Sequence, residues 1–192
     1  AGATANEQAR DVAIQFGLPE ERIRTEVVLG SPGGVLGRLS EVADLVVVGR
    51  RSVSGLERMF VGSTSVSVVA NASCPVVIIS AASTPEPIGG HGLIGVGLNT
   101  NPGNQEVLEE AFHFASRRKA ELEILHVFQQ PVGLFGPKLS PEGLEEQIRF
   151  TRGGIKALAK TVAKKYPQVT YRVEVVADSP INELVNRSHK YD

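Results

Sequence analysis

The 192-residue chain has one cysteine, one methionine and no tryptophan, and only 5% of its residues are aromatic. A single cysteine, Cys74, forms no internal disulfide, so this is not a disulfide-built secreted scaffold, and a reducing cytoplasm suits it. Cys74 precedes Pro75 and reads as a small buried residue at a strand start rather than a nucleophile. No apolar run approaches ~18 residues, so no segment reads as a membrane-crossing helix. The first residues, AGATANEQARD, lack the basic region and apolar run of a signal peptide. Asn71-Ala72-Ser73 and Asn186-Arg187-Ser188 are therefore read as chance matches to the glycosylation pattern. An excess of one charge is also missing: the formal net charge is −1. Neither nucleic acid nor a membrane surface is expected as a partner. His91, His113, His126 and His189 lack metal-ligand spacing. There is no Gly-x4-Gly-Lys-Ser/Thr loop, and Gly95 and Gly97 have no third glycine at position 100, so the dinucleotide fingerprint fails too. No Ser-His-Asp or paired-carboxylate arrangement stands out.

What is present has the balance of a globular protein, 42% apolar and 21% charged. Four runs read as fully buried strands: Leu45–Gly49, Pro75–Ser80, Leu93–Leu98 and Leu122–Phe128. Glu26–Leu29 and Tyr171–Val176 are also strand-like. Between them lie apolar stripes at helical spacing: Val35, Leu36, Leu39, Val42 and Ala43; Val107, Leu108, Ala111 and Ala115; Ile155, Leu158, Ala159, Val162 and Ala163. Alternating strands and helices predict an α/β fold, an open parallel sheet with helices on both faces. The segment 81–92, AASTPEPIGGHG, breaks the alternation and reads as a linker.

The pieces on either side are related. Glu26–Asp44 aligns without a gap on Glu174–Asp192, with eight identities: Glu26, Val27, Val28, Ser31, Pro32, Leu36, Ser40 and Asp44 meet Glu174, Val175, Val176, Ser179, Pro180, Leu184, Ser188 and Asp192. In each copy Ser-Pro marks a helix start, with serine placed to cap and proline suited to the first turn. The repeat points to a duplication. Asp192 stands where Asp44 stands, just before LVVVGRR. Two organisations follow: a window cut from a longer tandem protein with both ends inside domains, or one domain whose halves come in permuted order.

The stretch from Asp44 to Ser80 carries the most chemistry. A buried strand ends at Gly49, a small-residue and basic loop follows, and Gly62-Ser63 opens a helix. Backbone N–H groups at such a helix start suit a phosphate, with ~0.3–1 kcal/mol per charge from the helix dipole. Gly49 would let the chain turn away from the strand end. Thr64 and Ser65 could add hydroxyls. Arg50, Arg51 and Arg58 either neutralise phosphate charge or form a solvated loop.

These residues resemble the universal stress protein family. Its nucleotide-binding members carry Gly-x2-Gly-x9-Gly-Ser/Thr after the fourth strand, and this chain has Gly49-x2-Ser52-x9-Gly62-Ser63. DLVVVG before the motif and the strand after Cys74-Pro75 agree as well. IGVGLNTNPGNQEVLEEAF (Ile94–Phe112) resembles the family's first strand and helix, and LEILHVF (Leu122–Phe128) its second strand. The resemblance implies a five-stranded sheet of order 3-2-1-4-5, a Rossmann-like fold of the adenine-nucleotide α-hydrolase type, present here as two partial copies. Residues 1–80 would be the back part of one domain, with strands 3, 4 and 5 from 25–80. Residues 81–92 would be a linker, and residues 93–192 the front part of a second domain, with strands 1, 2 and 3 from 93–178. The nucleotide would lie at the carboxyl ends of strands 1 and 4.

By the same resemblance the ligand is ATP with Mg²⁺, held by Gly49, Arg51, Ser52, Gly62, Ser63, Thr64 and Ser65 at its phosphates and by Asn99 and Val127 at its adenine end. Ser52 departs from the family's glycine. If that position has a positive φ, serine carries roughly 1–3 kcal/mol of strain. Asn99 departs from the family's aspartate, losing the charge and gaining a donor. The expected role is ATP-binding regulation in the cytoplasm, not metabolic catalysis, with slow hydrolysis at most. The alternative is a member without nucleotide that acts through dimerisation and protein interaction. A third reading, an adenylate-transferring enzyme, lacks an acceptor-activating residue. Strand 76–79 is the expected pairing strand, for a homodimer or for tandem domains.

Overall fold

The computed structural model describes residues 2–50, 62–80, 92–99, 103–130 and 139–192. They fall into two compact units, Ala1–Pro85 and Glu86–Asp192. Of the expected linker only Gly92 is among the described residues, with a φ of +68° that favours glycine.

The first unit holds α1 (Gly2–Gln15), a 3-10 turn at Glu20–Arg22, α2 (Pro32–Leu39), a second 3-10 turn at Ser40–Val42, β1 (Val46–Arg50), α3 (Ser63–Asn71) and β2 (Val76–Ser80). β1 and β2 pair in parallel, Val46 opposite Val76 and Gly49 opposite Ile79. Their inner residues Val46 and Val48 close on Val68 of α3, with Leu36, Ala43, Cys74, Val76 and Ile78 around them. Cys74 thus packs beside the core, as its place before Pro75 suggests. Gly33 brings α2 close to α3, since a Cβ there would overlap the Ser67 side chain. The buried Ser40 hydroxyl donates to the Gly37 carbonyl at 2.5 Å and accepts from the Ser73 N–H at 2.8 Å. It ties the end of α2 to the entry of β2.

Two expectations fail in this unit. Glu26–Leu29 forms no strand, and Leu29 is 97% exposed. A strand needs a neighbour to take its N–H and C=O groups, and none of the described residues pairs with it. The apolar stripe of α2 is also shorter than its periodicity suggests. The helix gives way to a 3-10 turn after Leu39, which leaves Leu39 and Val42 exposed.

The second unit holds β3 (Leu93–Leu98), α4 (Asn104–Arg118), β4 (Glu121–Phe128), α5 (Pro141–Ala163), β5 (Tyr171–Ala177) and α6 (Pro180–Ser188). The strands form a parallel sheet of order β3-β4-β5. β4 is central and buried on both faces, as its near-continuous apolar run requires. Leu122 and Ile124 close on Leu108, Phe112 and Ala115 of α4 and on Ile155, Ala159 and Val162 of α5. Phe112 is fully buried and meets the Tyr171 ring edge-on at 5.3 Å and the Tyr166 ring at 5.9 Å. Burying such side chains contributes roughly 1.5–3 kcal/mol each. Glu123 belongs to the other face and meets α6, so helices cover both faces. β1 pairs with β2, and β3 with β4, each within its own unit.

Candidate functional site

In the first unit the candidate residues surround the start of α3. Gly49 lies inside β1 opposite Ile79, and its φ is outside the left-handed region. The chain therefore does not turn at Gly49 as expected but continues in the strand. Arg51, Ser52 and Arg58 lie outside the described residues. Gly62 is the N-cap of α3, with extended φ −57° and ψ 149°. Its carbonyl accepts from the Val66 N–H at 3.0 Å, closing the first turn. Having no side chain, Gly62 supplies no cap to the helix start. The N–H groups of the first turn have no acceptor within the helix, and among the described residues, its chain neighbours apart, none stands within 4 Å of where a Gly62 Cβ would be. Ser63 is exposed and Thr64 half-buried. Ser65 is only 3% exposed and shares the inner side of α3 with Val68. Among these hydroxyls, Ser63 is the most accessible from solvent.

In the second unit a cleft of about 410 Å³ opens at the carboxyl ends of β3 and β4. Gly97, Leu98 and Asn99 line one side, Leu125 to Phe128 another, and Pro180 and Leu184 of α6 the third. Asn99 and Val127, chosen from separate stretches of sequence, meet in it. The Asn99 carbonyl accepts from the Asn104 side chain at 2.7 Å, which links the end of β3 to the start of α4. A larger depression of about 560 Å³ lies at the other end of the sheet, beside Lys119 and Gln168. Open parallel sheets bind ligands at their carboxyl ends, and that favours the smaller cleft.

Two features of this cleft were not found by sequence reasoning. The first is His126, 5% exposed, whose Nδ1 lies 2.9 Å from the Leu98 carbonyl. The histidines were tested for metal spacing, and a hydrogen-bonding role leaves no such pattern. The second is the support beneath α6. The buried Glu123 carboxylate accepts from Arg172 Nε at 2.7 Å, Arg187 Nη1 at 2.9 Å and the Tyr191 hydroxyl at 2.6 Å. Arg187 also donates to Glu183 at 2.6 Å. Burial pushes the Glu123 carboxyl up, but the Tyr191, Arg172 and Arg187 hydrogen bonds outweigh it and hold the group below the ordinary carboxylate range. Burial and the Glu123 hydrogen bond push the Tyr191 hydroxyl up to about 12. The Tyr191 ring fills the space where Gly95 has no side chain, and a Cβ there would overlap it. This clamp fixes α6 so that Leu184 lies over Gly97, 3.4 Å from where a Cβ would stand.

Residues 1–80 match the universal stress protein family. A universal stress protein of Mycobacterium tuberculosis strain H37Rv is 29% identical over 169 residues, which are 86% of this chain and 55% of that protein. The chain is thus similar to universal stress proteins, by the family's model over residues 1–80 and by curated relatives over most of its length. A second universal stress protein of the same strain is 29% identical over 184 residues, 93% of this chain and 57% of that protein. The chain thus spans about half the length of the curated relatives it matches. A solved universal stress protein from Archaeoglobus fulgidus shares the fold, with a TM-score of 0.56 at 19% identity over 95% of this chain and 61% of that one. Gly62, Ser63, Thr64 and Ser65 lie in the first unit and the cleft in the second. Among the described residues no three His, Cys, Asp or Glu gather as metal ligands. No helix among them is long and apolar enough to cross a membrane.

Proposed function

We propose that this chain is part of an ATP-binding regulatory protein of the universal stress type, in two partial copies of a five-stranded domain. The Gly49–Ser63 loop takes the phosphates of one nucleotide. The Asn99–Val127 cleft takes the adenine end of another. The observation that carries the reading is the cleft: its volume falls within the ~300–1,000 Å³ of small-molecule sites, and it is mainly apolar with a few convergent polar groups. Mg²⁺ would travel with the phosphates, since it keeps several waters and asks few ligands of the protein. The role is binding rather than turnover, and a reducing cytoplasm is part of the same proposal. The test is titration with ATP and Mg²⁺ by calorimetry, wild type against Gly62→Val. The added isopropyl group would stand over the first-turn N–H groups and weaken phosphate binding by about tenfold or more, ~1.4 kcal/mol, the scale of one or two charge-assisted hydrogen bonds. No heat from wild type at millimolar ATP would sink the reading, and equal affinities would move the phosphates elsewhere.

A second reading has its own observation. β2 pairs with β1 along one edge, and no described strand pairs with the other, while Ile79 is 50% exposed. An apolar open edge invites a second strand. Dimerisation through strand 76–79, without nucleotide, is the reading this favours. A monomer by light scattering at micromolar to millimolar concentration would remove it.

A further inference from the structure

The formal net charge of −1 conceals a local excess of one sign. From Gln147 to Val173 the chain carries no Asp or Glu, and the cations Arg149, Lys156, Lys160 and Lys164 recur at spacings of seven, four and four. On α5 and its C-cap that spacing stacks them along one side of the helix, about 6 Å of axis for every four residues. All four are exposed. Among the described residues none of them joins an ion pair, whereas Lys165, Arg172 and Arg187 do. The helix dipole favours cations in the last turn, which accounts for Lys160 and Lys164 but not for Arg149 or Lys156. Beside them Phe150 is 80% exposed. One turn on are Gly153 and Gly154, both exposed, in a helix interior where glycine is disfavoured. Neither has a left-handed φ. Chain neighbours and the helix backbone apart, no described residue stands within 4 Å of where a Cβ would be at either. Neither a turn nor packing among the described residues calls for glycine there. The bare patch at Gly153 is framed by Arg149, Phe150 and Lys156, its neighbours on the helix surface.

We infer that this face of α5 binds a single-stranded nucleic acid, with Arg149, Lys156, Lys160 and Lys164 along its phosphates and a base laid over Gly153 against the Phe150 ring. A row of cations beside an exposed aromatic is the combination that holds a single strand: the charges follow the backbone and the ring stacks a base. An acidic peptide would meet the charges but leave the ring without a flat partner. An anionic membrane needs an apolar face as well, and the apolar side of α5, Ile155, Ala159 and Val162, is spent on the core. A duplex keeps its bases in the stack and offers none to Phe150. None of these residues lines the Asn99–Val127 cleft, and neither ATP nor Mg²⁺ takes part.

The test is fluorescence anisotropy of the full chain with a labelled oligodeoxythymidine of about twelve nucleotides, within the usual span of single-strand sites. ATP is present in excess to fill any mononucleotide site. Wild type should bind at about 50 mM salt, and log K should fall against log salt with a slope of roughly −2 to −3, about −0.7 for each of three or four phosphates neutralised. The triple variant Lys156→Gln, Lys160→Gln, Lys164→Gln should bind at least ~10-fold more weakly, with the slope flattened by about 2. Phe150→Ala should weaken binding at least ~5-fold with the slope unchanged, and Phe150→Tyr should restore it. The substituted side chains are exposed, so every variant should unfold at the wild-type midpoint. No binding by wild type, or a triple variant that binds as wild type does, would overturn the inference. Tighter binding of polyglutamate or of phosphatidylserine vesicles than of the oligonucleotide would also overturn it, and would assign the face to an acidic protein or a membrane. Binding of a duplex as tight as that of the single strand, with no effect of Phe150→Ala, would reduce the face to unselective charge and overturn it too.

Discussion

The segments Glu26–Asp44 and Glu174–Asp192 share Glu-Val-Val and Ser-Pro at equal spacing, yet they end up differently. In the second unit Val175 and Val176 lie in β5, paired with His126 and Val127. In the first, Val27 and Val28 are exposed and pair with no described strand. Both segments continue into a helix opened by proline. The helix is local and forms in both places. The strand is not local: its backbone groups need a partner, and among the described residues only the second unit supplies one. The same contrast holds for the cores. Among the described residues, the second unit closes thirteen buried ones around β4, and the first closes three around α3.

The largest expected difference is in hydrogen exchange. Amides of Val175 and Val176 should be protected at least ~1,000-fold more than those of Val27 and Val28, since core strands open only with the whole unit. Similar protection of the two pairs, read by NMR or mass spectrometry, would mean that 26–29 is held by a strand after all. Core truncation comes next. Phe112→Ala should cost about 3–5 kcal/mol by denaturant unfolding. Val68→Ala, in the smaller core, should cost about 2 kcal/mol, two buried carbons and a small cavity. Equal costs would make the two cores equivalent in packing.

The clamp on α6 has no counterpart in the first unit, where Leu39 and Ala43 occupy the aligned places of Arg187 and Tyr191. Glu123→Gln should cost about 2–3 kcal/mol, less than the ~3–5 of a fully buried pair because the Arg172 side chain is 42% exposed. The pH dependence has a definite sign. The folded Glu123 carboxyl titrates below its ordinary 4.5, so its contribution is full above that pH and is lost as pH falls through the lowered value. Tyr191 works the other way: raised from 10.0 to about 12, its contribution is full below pH 10 and is lost as pH rises through about 12. In Glu123→Gln the acid limb of stability against pH should flatten. An unchanged acid limb would assign it to other carboxylates.

Much of the frame was legible because its signals are local. The runs at 45–49, 75–80, 93–98 and 122–128 are strands within one residue, since buried parallel strands have no polar alternation to blur them. Asn99 and Val127, singled out through family motifs, line one cleft. The clamp was not. Glu123 sits inside a run that reads as apolar, and Arg172, Arg187 and Tyr191 lie 49, 64 and 68 residues further on. No local pattern pairs groups so distant. His126 escaped for a related reason, because its partner is the backbone carbonyl of Leu98, which any residue could supply. Glu26–Leu29 was misread because strand propensity is a property of the neighbour as much as of the residues.

The smallest effect separates three sites that look identical in sequence. Ser31-Pro32, Ser140-Pro141 and Ser179-Pro180 each open a helix with proline in the first turn. Only the Ser140 hydroxyl accepts from a first-turn N–H, that of Gly143 at 3.2 Å. Ser31 and Ser179 make no side-chain cap bond. The motif therefore marks the start of a helix without fixing how it is capped, and it is not peculiar to the repeated segments. Ser140→Ala should lose about 1 kcal/mol, the usual worth of an N-cap hydrogen bond. Ser31→Ala and Ser179→Ala should each lose only a few tenths, roughly the propensity difference alone. The comparison is made by unfolding midpoints of the three variants in one buffer. A loss at Ser31 equal to that at Ser140 would mean that its hydroxyl caps α2 in solution, and that the two units differ less at their helix starts than at their strands.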